Sequence, residues 1–329
     1  MAKTLRWGIL ATARIARKFA AGIRASEHGE LVAVGSRTQA AADAFGEELD
    51  IPRRHGSYEA LADDDHVDAI YVATPHPFHK DATVLCLRAG KAVLCEKPFA
   101  VNAAQAREAV AVARQTGVFC MEAVWSRFLP SVQLARQIVD SGRIGELRMV
   151  MADFGFRAAW DPASRLLDPN LAGGGLLDVG IYPLSLAAMF LGEAREIASL
   201  AHLGETGVDE QAGIVAKYDA GRIAAITTGV RVHTPMEAWL LGTEGKVHLH
   251  HAWWRGSKLT ILKDQHELET IDPPMVGNGY NYEADEVARC LAAGKTESDV
   301  IPLDETLSLM RTMDTIRAQW GLKYPMDKP

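Results

Sequence analysis

Several side-chain groups in this 329-residue sequence have the types and spacing that chemistry can use. The segment Ala11-Thr12-Ala13-Arg14-Ile15-Ala16 follows a short apolar run and sets small residues where a dinucleotide-binding turn carries G-x-G-x-x-G. Alanine still lets backbone N–H groups approach a pyrophosphate, provided these positions do not require positive φ. Arg14, Arg17 and Lys18 fall in the first turn of the helix that should follow, where cations face the positive end of the helix dipole unless an anion sits there. The alternative is an ordinary solvated basic face. Ser36-Arg37 stands where an acidic residue would accept the ribose hydroxyls of NAD; a hydroxyl and a guanidinium instead suit a 2′-phosphate, which favours NADP over NAD.

Further along, Thr74-Pro-His76-Pro-Phe-His79, Glu96-Lys97-Pro98 and Glu122-Ala-Val-Trp125 each follow an apolar segment. Proline holds Lys97 out of helical geometry, leaving its ammonium able to reach over a strand end. In Gly173-Gly-Gly-Leu-Leu-Asp178-Val-Gly-Ile-Tyr182 a flexible approach leads to a carboxylate and a phenol four residues apart, which on one helix would share a face. Pro183 complicates that helix by removing a backbone donor. A phenol with a nearby ammonium to stabilise its phenolate can exchange protons, and Lys97 is the natural ammonium; the plainer reading of Tyr182 is a core residue with a satisfied hydroxyl. His248, His250 and His251 have no carboxylate or thiol beside them in sequence, so no metal site is expected. Trp253-Trp254 and Trp125 suit a substrate pocket or a core equally well.

Elements that place these groups follow from periodicity. Leu5–Leu10, Leu31–Gly35, Ala69–Ala73, Ala92–Cys95 and Val118–Met121 read as strands alternating with amphipathic stretches, the pattern of βαβ units and a parallel sheet. Every candidate group named up to Trp125 then lies at a strand's carboxyl end, where open parallel sheets bind ligands. A helix is expected over 103–116, capped by Asn102 with Gln105 in support and stopped by Gly117. After Pro130, Leu147–Phe154, Gln211–Tyr218, Arg222–Thr228 and Lys246–His251 read as an open, mostly antiparallel sheet, and helices return over 282–293 and 302–320. The expected fold is an α/β dinucleotide-binding domain, residues 1–122, and an α+β domain, residues 123–329, whose last helices pack back on the first.

The formal charge of −7 leaves no basic excess for nucleic acid or an anionic membrane, so a small-molecule partner is expected. The N-terminal apolar run is broken by Thr12 and Arg14, too short for a signal core or a membrane span, and a cytoplasmic protein is expected. The cysteines, Cys86, Cys95, Cys120 and Cys290, are far apart and read as buried thiols.

Taken in order, GILATARIA, AVGSRT, ATPHPFHKD, CEKPFAVN, EAVWSRFLP and GGGLLDVGIYPL resemble the glucose–fructose oxidoreductase / inositol dehydrogenase family, Gfo/Idh/MocA, over almost the whole chain. Within it, EAVWSRF and the tyrosine at 182 most resemble dimeric dihydrodiol dehydrogenases and NADP-dependent aldose (D-xylose) 1-dehydrogenases. The resemblance implies a Rossmann domain, a homodimer formed through the open sheet, and hydride transfer between NADP and a sugar or related hydroxyl compound, most simply an aldose oxidised at C1. Oxidation of trans-dihydrodiols, reduction of a dicarbonyl sugar, and a non-catalytic NADP-binding sensor are the alternatives. It also implies roles: Lys97 at the nicotinamide ribose and substrate hydroxyl, Tyr182 exchanging the proton, Asp178 orienting the pair. Ser36 and Arg37 would hold the 2′-phosphate. Thr74, His76, His79 and Glu96 would border the rest of the cofactor, with Arg165 in that set and beside the substrate pocket that Trp125, Phe154 and Trp254 would shape. The first-loop glycines are the family feature this sequence lacks.

Overall fold

In the computed structural model, which describes residues 4–264 and 266–327, the chain forms two compact units. One comprises Met1–Trp125 and Val276–Leu307, the other Ser126–Met275 and Ser308–Pro329.

The first unit opens with β1 (Leu5–Leu10), α1 (Arg14–Ile23), β2 (Gly29–Gly35), α2 (Gln39–Glu48), β3 (Arg53–His55), α3 (Tyr58–Ala62), β4 (Ala69–Val72), α4 (His79–Arg88), β5 (Ala92–Glu96), α5 (Ala103–Thr116) and β6 (Cys120–Ala123). The six strands are parallel in the order β3-β2-β1-β4-β5-β6. Strand order reverses between β1 and β4, so the binding crevice of such a sheet lies beyond the ends of those two strands. Apart from the half-exposed Arg6, their side chains are buried on both faces, as apolar runs without polar alternation require. The α1 stripe of Ala16, Phe19 and Ile23 is buried, as its spacing demands. Asn102 caps α5 by accepting from the Gln105 N–H at 2.9 Å, Gln105 in turn accepts from the Val101 N–H, and Gly117 ends the helix at φ +66°.

The second unit holds α6 (Pro130–Asp140), β7 (Leu147–Gly155), α7 (Ile181–Leu191), β8 (Glu196–Leu203), β9 (Asp209–Lys217), β10 (Ile223–Gly229), β11 (Ala238–Gly242), β12 (Lys246–Leu249), β13 (Leu259–Lys263) and β14 (His266–Ile271). Eight strands run β14-β13-β12-β11-β7-β10-β9-β8, antiparallel except where β10 lies parallel to β7. One face buries Val150, Ala152, Ile214, Ala216, Ala224, Ile226, Leu240 and Val247, and α7 packs on it against β7 and β10. The other face leaves Met151, Leu200 and Val215 exposed. The stretch Pro169–Leu191 is long and apolar enough to cross a membrane by composition, yet 89% of its most apolar window is buried inside the fold.

The chain then supplies α8 (Tyr280–Ala292) and the first turn of α9 (Leu303–Trp320) to the first unit. Helix α8 lies against α1 at Gly22, where a Cβ would stand 2.6 Å from the Tyr280 Cβ. Only glycine permits that approach.

Candidate active site

At the crevice of the first unit, Ala11 follows β1, donates its N–H to Gly35 O at 2.9 Å and has φ +83°. A side chain therefore occupies a conformation that glycine adopts freely and alanine does not. The missing glycine leaves the turn intact but strained. Ala13 is the extended residue before α1, and no side chain caps the helix among the described residues. Those first N–H groups are the donors a phosphate uses. Thr12, Ala13 and Ile15 are half-buried here and Arg14 is exposed.

One expectation at this helix is corrected. Arg17 does not contribute to a cationic cluster aimed at an anion; it forms a two-pronged pair with Glu48 of α2, at 2.7 and 2.6 Å, and lies over the Phe45 ring. A carboxylate one element away, out of reach of sequence spacing, takes the charge. At the end of β2, Ser36 is buried with its N–H on His55 O, and Arg37 is exposed beside it.

Thr74 follows β4. Its hydroxyl is buried without a hydrogen-bond partner among the described residues. Its carbonyl lies 2.8 Å from His79 Nε2, and His79 Nδ1 is 2.7 Å from Pro98 O, so this buried imidazole ties the loop after β4 to the loop after β5. Burial holds the His79 pKa below the ordinary histidine value, with the two carbonyls pulling the other way. His76 is buried next to it, the rings 5.7 Å apart.

Glu96 ends β5 with its carboxylate turned inward: Oε2 accepts from the Lys97 N–H at 3.1 Å and Oε1 from the Tyr71 hydroxyl. Lys97 is half-buried and precedes a cis bond to Pro98. Glu122, wholly buried, accepts from the Phe99 N–H at 2.9 Å and the Thr306 hydroxyl at 3.0 Å. Three buried side chains thus grip the backbone of residues 97–99. The sequence marked Glu122 only as a strand end. It gave no signal for Glu283, which is buried with both carboxylate oxygens unpartnered among the described residues, and whose pKa is pushed well above the ordinary carboxylate range by burial and by Glu96. Trp125 stacks on Tyr280, ring centres 4.5 Å apart, within this same unit.

In the second unit the Gly173-Gly-Gly175 turn runs into a π-helical turn, Leu176–Gly180, before α7 begins at Ile181. Asp178 and Tyr182 therefore do not ride one regular helix, and the complication that Pro183 introduces is the one the structure shows. Pro183 has no N–H for the carbonyl four residues back, and the wider turn ahead of it accommodates the loss. Asp178 is buried and accepts from Arg165 at 2.7 Å. Tyr182 lies against Phe154, ring centres 5.4 Å apart, and Phe154 stacks on Trp254 at 3.7 Å. Tyr182, Phe154 and Trp254 form one aromatic wall, and Asp178, on the segment that carries the phenol, is paired with Arg165 from the stretch after β7. Trp253 is instead a core anchor, its Nε1 donating to Asp153 O.

The three histidines diverge. His248 stacks on Trp239 and lies 3.0 Å from Glu237, a carboxylate the linear sequence did not show beside it; His250 meets Thr260 and His251 meets Pro235 O. Among the described residues no three side chains of metal-ligating type gather.

Residues 5–124 match the oxidoreductase family with an NAD-binding Rossmann fold, Gfo/Idh/MocA, and residues 132–248 match the C-terminal domain of that family. The chain belongs to the Gfo/Idh/MocA family. A mouse member, trans-1,2-dihydrobenzene-1,2-diol dehydrogenase, is 41% identical over 98% of this chain and 99% of its own length. The aldose-aldose oxidoreductase of Caulobacter crescentus, solved with glycerol, is 27% identical and superposes with a TM-score of 0.88 over 97% of this chain and 98% of its own. A 3-ketoreductase from Actinomadura kijaniata, solved with NADP and TDP-benzene, gives 26% identity and a TM-score of 0.85 over 96% and 98%. As a Gfo/Idh/MocA member the chain is an oxidoreductase acting on hydroxyl groups.

Proposed function

We propose that this oxidoreductase is an NADP-dependent dehydrogenase acting on a ring that carries adjacent hydroxyl groups, an aldose oxidised at C1 to its lactone being the first reading. The observation that carries it is the wall formed by Tyr182, Phe154 and Trp254: a titratable phenol beside stacked aromatic faces suits the apolar face of a hydroxylated ring.

The first unit's residues fit the cofactor. The uncapped start of α1 offers N–H donors for the pyrophosphate through Thr12, Ala13, Arg14 and Ile15, with Ala11 shaping the turn before them, Ser36 and Arg37 suit the 2′-phosphate, and Thr74 keeps a buried hydroxyl for a ligand group. His76 borders the same loop, while His79 and Glu96 act by holding it and Lys97 in place. Bound NADP+ supplies the hydride acceptor. Tyr182 takes the proton of the substrate hydroxyl, Asp178, oriented by Arg165, aligns that hydroxyl, and Lys97 serves the nicotinamide ribose. Hydroxyl compound and NADP+ thus become carbonyl compound, NADPH and a proton.

The second reading is a trans-dihydrodiol substrate, favoured by the dihydrodiol dehydrogenases at 41% identity. A homodimer through the exposed sheet face, where Met151, Leu200 and Val215 form an apolar stripe, belongs to the same reading. So does a cytoplasmic site, supported by four free, buried cysteines.

The test is NADP+ reduction across aldoses, inositols and trans-diols, with wild type beside Tyr182→Phe and Lys97→Ala. A substrate-dependent signal lost in both variants bears the reading out and names the substrate class. Silence across the panel with NADP binding intact overturns it in favour of a non-catalytic sensor.

A further inference from the structure

Asp209, the first residue of β9, is wholly buried beneath the Gly173-Gly-Gly175 turn. Its Oδ2 accepts the Leu176 N–H at 2.7 Å, the opening residue of the π turn, and the Gly175 N–H acts on the same carboxylate. Contact this close requires Gly174, which sits at φ +112° and whose added Cβ would lie 2.1 Å from Oδ1. From the next strand, the Thr228 hydroxyl donates to Gly175 O at 3.3 Å. Oδ1 itself is buried without a hydrogen-bond partner among the described residues. The charged and titratable groups facing Asp209 are Arg317 of α9, itself held by Asp314 and Asp327, and Tyr324, whose hydroxyl donates to Gly173 O.

A carboxylate that serves backbone N–H groups at the head of a helical segment does for it what a capping residue does, fixing where the first turn begins. Here the capped segment is the one that carries Asp178, two residues on from Leu176, and Tyr182, six residues on. Because the π turn admits one more residue than an α turn, where it starts decides which side chains share a face. We propose that Asp209 is a positioning residue for the reaction, holding the π turn in the register that presents Asp178 and Tyr182 together. This rests on the reading of Tyr182 as the proton carrier. All of the donors on Asp209 favour its ionised form, while burial pushes its pKa up to about 7, so the capping form fills in as pH rises through neutrality.

The experiment measures kcat and KM against pH, with the best substrate of the panel, for wild type, Asp209→Asn, Asp209→Ala and Tyr182→Phe, alongside NADPH binding by fluorescence. The expected result is a kcat limb near neutrality in the wild type that Asp209→Asn removes. Asp209→Ala lowers kcat about tenfold with KM for NADP unchanged, and Asp209→Asn, which cannot ionise, holds kcat at the level the wild type shows below the limb. Asp209→Asn keeps the shape of the side chain, so it decides the matter even where the alanine variant does not fold. An unchanged limb in Asp209→Asn, or full kcat in Asp209→Ala, overturns the proposal. Activity lost in Tyr182→Phe but indifferent to both Asp209 variants sinks the positioning role alone; activity retained in Tyr182→Phe sinks the reading beneath it as well.

Discussion

The Arg165 guanidinium, half in solvent, donates at 2.7 Å to the carboxylate of Asp178, which is buried. An ion pair with one exposed partner contributes little to stability, of the order of 1 kcal/mol or less. Its value lies in aiming a carboxylate. Arg165→Ala is therefore expected to leave the urea midpoint nearly unchanged while kcat falls about tenfold. A large loss of stability with kcat intact would reverse the assignment.

Ala11 at φ +83° carries the cost of a left-handed alanine, about 1–2 kcal/mol, set against the added chain entropy that glycine brings to the unfolded state, about 0.5–1 kcal/mol. Ala11→Gly should raise stability by a net ~0.5–1 kcal/mol and tighten NADP binding, read by thermal melting and by titration. A lower melting temperature would show that the turn is not strained.

His79 lies at hydrogen-bond distance from Thr74 O and Pro98 O, both in loops that the proposed cofactor site uses. His79→Ala strips a partner from two carbonyls in a buried setting, an expected loss of about 2–4 kcal/mol by denaturant unfolding. It should also weaken NADP binding more than it alters KM for the sugar or diol. Loss confined to the second substrate would contradict this.

A pH dependence of stability follows from Asp209, whose pKa stands near 7 in the fold against 3.8 for the free side chain. The native state holds this proton more tightly, so the contribution of the group is fully present below the unfolded value and is lost as pH rises through about 7. Across that window it amounts to about 4 kcal/mol. Asp209→Asn should flatten the fall in unfolding free energy between acid and mildly alkaline pH. The form that caps the π turn is thus the form that burial disfavours, and activity and stability should move in opposite directions there.

Much of the first unit is legible in the sequence. Leu5–Leu10 is an apolar run interrupted only by Arg6, and the α5 boundaries are written in Asn102 and Gly117. Short or solvent-facing strands escaped. β3 is Arg-Arg-His, with no apolar pattern, and Asp64 holds it by pairing with Arg53 and His55. β14 is exposed along most of its length. The candidate positions Tyr182, Asp178 and Lys97 are singled out by residue type and place alone. Asp209 is not, because an aspartate opening a polar stretch reads as a surface turn until the chain folds over it. Arg17 misled for the converse reason: its partner, Glu48, is a full βα unit away.

The glycine at position 22 bears on the order in which this protein is made. The face of α1 that it opens receives Tyr280, more than two hundred residues later in synthesis, and Glu122 at the end of β6 waits for Thr306. An emerging chain that has just completed β6 has every strand of its first sheet and lacks the helix that closes one side of it. Maturation of that sheet is therefore a late event on the ribosome, and a fragment ending near Trp125 should be sticky, chaperone-dependent and poor at retaining nucleotide, whatever its share of the binding residues.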